Sequence, residues 1–195
     1  MSDYDPESLR VEVAKKIVDD FVRPASLALE TETVSIYDSL GRVLANDIIS
    51  PINVPSADNS AMDGYAFSGA SIVKDGVTSL TMIGKGFAGN AFEGVVTQGQ
   101  CVRIMTGAVM PAGCDTTIPQ ELVKVDGDQI QFQSSVIRAG DNRRLKGEDL
   151  SIGQAALCAG KIIRPSDLGL IASLGIGSVT VKRRLKVGFF STGDA

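Results

Sequence analysis

Val123-Lys124-Val125-Asp126-Gly127-Asp128-Gln129-Ile130-Gln131-Phe132 decides the fold class. Asp-Gly between two alternating runs is a strong hairpin signal, because the tight turn between two strands needs a left-handed backbone that glycine adopts readily. Val123 and Val125 lead into the turn, and Ile130 and Phe132 follow it at every second position. Working outward, Leu80 to Ile83, Cys101 to Met105 and Thr116 to Ile118 read as further short strands. Glycine turns separate them, and most of the 21 glycines lie after residue 60. Short strands at regular intervals from about residue 68 to 144 predict a small antiparallel barrel or sandwich.

The flanks read differently. Near the start, Asp5 suits a helix N-cap, Pro6 the first helical position and Glu7 the positive helix end. Val13, Ala14, Ile17, Val18 and Phe21 recur at helical spacing, which predicts a helix with a packing face, ended by Pro24. Residues 32–50 read as strand, short helical turn and strand. From Pro51 to Tyr65 periodicity vanishes, and the segment reads as one long extended loop of the kind that usually carries function. Beyond the polar loop Gly140 to Asp149, Pro165 to Leu174 predicts a helix with Asp167 in its first turn and Gly175 after its end. Ser178 to Val181 predicts a strand. The apolar run Val187-Gly188-Phe189-Phe190 suits a parallel strand buried on both faces, with Ser191-Thr192-Gly193-Asp194 as a ligand-binding loop at its carboxyl end. Since one strand makes no sheet, the chain is expected to be the front part of a longer protein.

Composition narrows the functional classes. The 195 residues are 44% apolar and 22% charged, which excludes disordered and collagen-like chains. Lys and Arg number 19 against 23 Asp and Glu, a net charge of -4 that makes nucleic acid a poor partner. Histidine is absent, which excludes Ser-His-Asp triads, Cys-His dyads and His-bearing metal sites. Three cysteines without a C-x-x-C suggest reduced thiols in a cytosolic protein. The acidic start MSDYDPE is no secretory signal, and no apolar stretch is long enough to span a membrane, so a cytoplasmic location is expected.

Three stretches carry groups with chemical potential. In Asp58-Asn59-Ser60-Ala61-Met62-Asp63-Gly64-Tyr65, two carboxylates stand in a loop of small residues. Met62 breaks the alternation a calcium loop needs. The remaining readings are Asp and Asn bonding their own backbone, or one or two carboxylates of a magnesium–nucleotide site. In Arg103-Ile104-Met105-Thr106-Gly107 a strand ends in a hydroxyl beside a glycine, which suits either an ordinary strand terminus or an anion. Between Gly140 and Asp149, Arg143, Arg144 and Lys146 alternate with Asp141, Glu148 and Asp149, as in a solvated turn or a cationic lip for a phosphorylated ligand.

Five stretches, in order, resemble the molybdopterin molybdotransferase family, to which the E domain of gephyrin is related. They are VPSADNSAMDGYAF (54–67), RIMTGAVMPAGCDTTIPQE (103–121), GDNRRLKGEDLSIG (140–153), IASLGIGSV (171–179) and KVGFFSTGD (186–194). The resemblance implies an α+β, mixed fold: an extended discontinuous α/β domain (1–47 and 145–184), an inserted β-rich, barrel-like domain (48–144), and the first strand of a truncated α/β molybdopterin-binding domain (185–195). It implies an enzyme that places molybdenum from molybdate on adenylylated molybdopterin and releases AMP, with this front fragment inactive alone. By matching position, Asp63, Thr106 and Asp149 are site residues, and Ser191, Thr192, Gly193 and Asp194, which opens the loop of the molybdopterin-binding domain, bind molybdopterin; the chemistry of the residues suits Asp63 and Asp149 as carboxylates facing a metal, Mg2+, or a nucleotide, and Thr106 as an orienting donor. The implied partners are a second copy in a homodimer and the molybdopterin adenylyltransferase. Ala195 stands where the family has a glutamate. The same resemblance allows two other readings, a gephyrin-like dimeric scaffold for a partner peptide or an inactive structural fragment.

Overall fold

The computed structural model describes residues 10–27 and 30–189. In chain order the elements are α1 Val11–Leu27, β1 Thr31–Ser35, β2 Ile48–Ile49, β3 Asn59–Ser60, β4 Gly64–Phe67, β5 Val77–Gly86, β6 Gln100–Ile104, β7 Thr116–Pro119, β8 Lys124–Asp126, β9 Gln129–Gln133, β10 Arg143–Arg144, β11 Ala155–Leu157, α2 Pro165–Ser173 and β12 Ser178–Lys182. The fold is mixed α/β and falls into two compact units. One takes the described residues up to Ile48 and from Ala155 onward; the other is Ile49–Gln154.

In the first unit, β1 and β12 pair antiparallel from Thr31↔Lys182 to Ser35↔Ser178. Leu44, Ile163, Ile171, Val179 and Val181 are buried there. Arg42 is also buried; its guanidinium pairs with Glu32 and donates to the Lys182 carbonyl at 2.9 Å, so the charge is compensated. The helix expected at 165–174 forms as α2. Arg164, which has no side-chain acceptor, stands at its N-cap, and Asp167 reaches back to accept the Arg164 N–H at 2.9 Å and the Lys161 ammonium at 2.7 Å.

Three expectations for this unit are corrected. Pro24 does not end the first helix, because α1 runs through it to Leu27. A proline removes one intrahelical bond, here to the Asp20 carbonyl, and the next amides can still reach back. The apolar positions of α1 are not packed either: Ile17, Val18 and Phe21 are exposed, and Phe21 is 84% exposed. The helical periodicity does give a helix, but a packing face needs a surface opposite it, and no described residue supplies one. Residues 187–189 form no strand, and Val187 and Phe189 are exposed. A doubly buried strand requires sheet neighbours on both sides. The N-cap at Asp5, with Pro6 and Glu7, and the loop 191–194 lie outside the described residues.

The second unit is built on a six-stranded sheet in the order β7-β4-β6-β5-β9-β8, beside the two-stranded pair β10-β3. Its hairpin is the expected one: Asp126↔Gln129 closes the β8–β9 ladder over Gly127 and Asp128, with Gly127 at φ +56°. The edge strands β7 and β8 are consecutive in the chain, joined only by residues 120–123 with a helical turn at Gln120–Leu122. The sheet therefore curls. Tyr65, Phe67, Leu80, Ile118, Ile130 and Phe132 fill its interior, where the Phe67 and Phe132 rings lie 5.5 Å apart and tilted by 46°.

Two features of this unit depart from the sequence reading. β5 and β6 pair parallel, so the sheet is not purely antiparallel. The long loop from Pro51 ends earlier than Tyr65, because Gly64–Phe67 is a central strand, buried at all four positions. Gly64 lies so close to β7 that a Cβ there would meet the Ile118 carbonyl oxygen at 1.9 Å. A four-residue strand with small residues shows too little alternation to stand out from the loop before it.

Candidate functional site

The pairing of β4 with β6 places the loop before β4 against the loop after β6. Gly64 pairs with Ile104, which sets Asp63 beside Thr106. Thr106 donates its backbone N–H (2.7 Å) and its hydroxyl (2.8 Å) to Asp63 Oδ1. The other oxygen, Oδ2, has no partner among the described residues, and both side chains are exposed. The Thr106 amide and then its hydroxyl hold the Asp63 carboxyl below the usual aspartate range; partial desolvation opposes this and the Arg103 charge adds to it. The Asp63 carbonyl accepts the Gln120 N–H at 3.0 Å. Arg103 joins these parts: it donates to Gln120 Oε1 at 2.9 Å and lies over the Tyr65 ring at 5.8 Å from its centroid.

The charged loop 140–149 is brought to the same segment. β10 pairs with β3, Arg143 against Ser60 and Arg144 against Asn59. The Ala61 N–H donates to the Asn142 carbonyl at 2.9 Å. Asp58 ties the loops further, its Oδ1 accepting the Lys146 N–H at 2.8 Å and its carbonyl the Met110 N–H at 2.9 Å. Arg144 donates through Nε to Glu148 Oε1 and through Nη2 to Asp149 Oδ2, both at 2.6 Å. Asp149 Oδ1 has no partner among the described residues. The Leu145 N–H (2.8 Å) and then Arg144 hold Glu148 below the usual range, while Asp149 and then Glu148 raise Arg144.

Asp63 and Thr106 are therefore in direct contact. Asp149 is carried on the loop laddered to the same segment. Both Thr106 donors are engaged by Asp63, which leaves its hydroxyl only lone pairs to offer a ligand. Arg103, Gln120 and Asp58 have structural roles here that their sequence positions did not reveal, because each depends on strand register. Among the described residues no group of three or more Cys, Asp or Glu side chains forms a metal cage. A magnesium ion needs only one or two carboxylates when phosphates complete its shell, and Asp63 and Asp149 each leave one oxygen open. Thiol chemistry does not fit the second unit: burial pushes Cys101 and Cys114 up to about 12, so both stay protonated. No described helix is long and apolar enough to cross a membrane.

Residues 9–175 match the family model described as MoeA N-terminal region (domain I and II). The molybdopterin molybdenumtransferase of Haemophilus influenzae is 44% identical over 165 residues, covering 85% of this chain and 40% of that protein. That of Bacillus subtilis is 35% identical, covering 84% of the chain and 40% of the protein. Gephyrin of Dictyostelium discoideum is 32% identical, over 85% of the chain and 24% of gephyrin. The crystal structure of the molybdopterin biosynthesis moeA protein from Pyrococcus horikoshii OT3 superposes with a TM-score of 0.72 at 36% identity, over 78% of this chain and 40% of that one. The chain thus spans about 40% of the length of the molybdenumtransferases it matches.

Proposed function

The chain belongs to the MoeA N-terminal region family, and from that premise we propose that the protein carrying it inserts molybdenum from molybdate into adenylylated molybdopterin and releases AMP. The observation that carries the reading is the Asp63–Thr106 contact. One carboxylate oxygen is fixed by two donors, the other faces solvent, and the group stays ionised well below neutral pH. Such a preorganised charge suits a reaction on a phosphate-bearing substrate, where opposing charge must be held in place.

In this reading Asp63 and Asp149 are the carboxylates available to Mg2+, which when bound would neutralise phosphate charge. Thr106 orients Asp63. The Ile49–Gln154 unit acts as an inserted barrel-like domain and the other unit as the discontinuous domain. Residues 185–195 open the molybdopterin-binding domain, where Ser191, Thr192, Gly193 and Asp194 contact the pterin. The protein works as a cytoplasmic homodimer whose site is shared between subunits, and it receives its substrate from an adenylyltransferase. The names of the relatives and the coverage of the family model support this assignment.

The test supplies full-length protein with adenylylated molybdopterin, molybdate and magnesium, and follows AMP release and metal insertion. Turnover by wild type, with a loss in Asp63→Asn at unchanged melting temperature, is expected. No turnover in wild type removes the functional reading, and full activity in Asp63→Asn removes Asp63 from the site.

A further inference from the structure

We infer that Arg144, steadied by Glu148, is a positioning residue that holds Asp149 with one carboxylate oxygen fixed and the other open, on the ladder that also carries the Asp63 loop. This rests on the catalytic reading of Asp149 given above.

The argument begins in the backbone. Arg144 sits in β10 opposite Asn59, so its main chain is tied to the segment that ends in Asp63. Its side chain points the tie toward Asp149. The guanidinium is planar and donates from two edges, Nε to Glu148 and Nη2 to Asp149. Glu148 is not free to follow it, because its second oxygen accepts the Leu145 N–H at 2.8 Å. The guanidinium plane is therefore set by a carboxylate that is itself pinned to the backbone. What it presents to Asp149 is a single donor, on Oδ2 alone. Asp63 is held in the same manner by Thr106, on Oδ1 alone. Each of the two carboxylates thus keeps one oxygen bound and one open.

Stability does not account for the arrangement. The side chains of Arg144, Glu148 and Asp149 are 39%, 35% and 52% exposed, and ion pairs so exposed to water contribute little to folding. Geometry does. Lysine carries the same charge but no planar fork, and it cannot serve two carboxylates from two fixed edges.

The experiment compares Arg144→Gln, Arg144→Lys and Glu148→Gln in the full-length protein, reading kcat, KM for molybdate, melting temperature and native-state amide exchange. Both Arg144 variants should lose about 10–100-fold in kcat, the usual effect of removing a partner one step behind a functional group, with KM and melting temperature little changed. Glu148→Gln should fall between them and wild type. The Leu145 amide should exchange severalfold faster in both Arg144 variants, while the Thr106 amide should not change. Wild-type kcat in Arg144→Lys would replace positioning by simple charge and overturn the inference. A lowered melting temperature with an unaltered rate per folded molecule would make Arg144 structural and overturn it as well. The exchange measurement needs no turnover: unaltered Leu145 exchange overturns the clamp itself, whereas an inactive wild type with accelerated Leu145 exchange in the variants overturns only the catalytic reading beneath it.

Discussion

Thr106 donates both its N–H and its hydroxyl to the same oxygen of Asp63, at 2.7 and 2.8 Å, across a ladder that joins residues 43 positions apart in sequence. The amide bond survives any substitution of Thr106 that keeps the backbone; the hydroxyl bond does not. Thr106→Val therefore separates the two. It should raise the Asp63 carboxyl toward the ordinary aspartate value of about 3.9 and lower kcat by about tenfold, the worth of one hydrogen bond to a charged group. The loss should be smaller than in Asp63→Asn. Steady-state kinetics on the two full-length variants provide the comparison.

The direction of the Asp63 shift fixes a pH dependence. A carboxyl held below its usual value is ionised above that value, and any function of its charge is lost only as pH falls through the lowered value. The acid limb belonging to Asp63 should therefore lie below about 3.9 in wild type and move up in Thr106→Val. Carbon-13 NMR titration of the Asp63 carboxyl gives the value directly. Equal titration curves in the two proteins would show that the hydroxyl contributes nothing.

Asp167 makes a separate stability prediction. The Lys161 ammonium first, and then the Arg164 N–H, hold its carboxyl below the usual range, and the residue is only 6% exposed. Its folded-state value lies below its unfolded one, so its stabilising effect is complete above the unfolded value and disappears as pH falls through the folded one. Asp167→Ala should melt at lower temperature than wild type at pH 7, and the gap should close on acidification. Melting curves from pH 7 to about pH 3, below the usual aspartate value, test the sign.

Two glycines should answer a Cβ differently. At Gly64 the added carbon would sit 1.9 Å from the Ile118 carbonyl oxygen, a backbone atom in a central strand that cannot turn aside. Gly64→Ala should cost on the order of 3 kcal/mol, the upper part of the usual overpacking range. At Gly127 nothing lies within 4 Å, and only φ +56° opposes the change. Gly127→Ala should cost about 1–2 kcal/mol, the left-handed penalty of a single residue. Urea unfolding of both variants checks the order.

What the sequence disclosed depended on how local each signal was. The β8–β9 hairpin was legible because Asp126-Gly127 marks a local turn, which closes over Gly127 and Asp128. The helix at 165–173 was legible because Pro165, Asp167 and Gly175 mark both its ends. β4 was missed because Gly64-Tyr65-Ala66-Phe67 owes its strand to neighbours on both sides, β6 and β7, that lie far away in sequence. The same distance hid the site geometry. Asp63 and Thr106 stood out as polar groups in turn-like segments, but their contact follows from the Gly64↔Ile104 register. The α1 pattern disclosed a helix and said nothing of what covers it.

The last prediction tests whether the site is shared between subunits. If Asp63 acts on a ligand held by the molybdopterin-binding domain of the other subunit, then a dimer of Asp63→Asn subunits has two damaged sites, and so has a dimer of Asp194→Ala subunits. A heterodimer of the two places both substitutions in one site and leaves the other intact. Asp63→Asn homodimers should lose about 100–1,000-fold in kcat, the usual effect of removing one preorganised electrostatic contact. Mixed heterodimers, isolated with two different affinity tags, should recover one working site per dimer. Recovery cannot come from stability, because Asp63 is exposed and its substitution leaves the buried β4 strand that follows it unaltered. If verified heterodimers show no more activity than the homodimers, each site belongs to a single subunit, and the shared-site arrangement fails while the role of Asp63 stands.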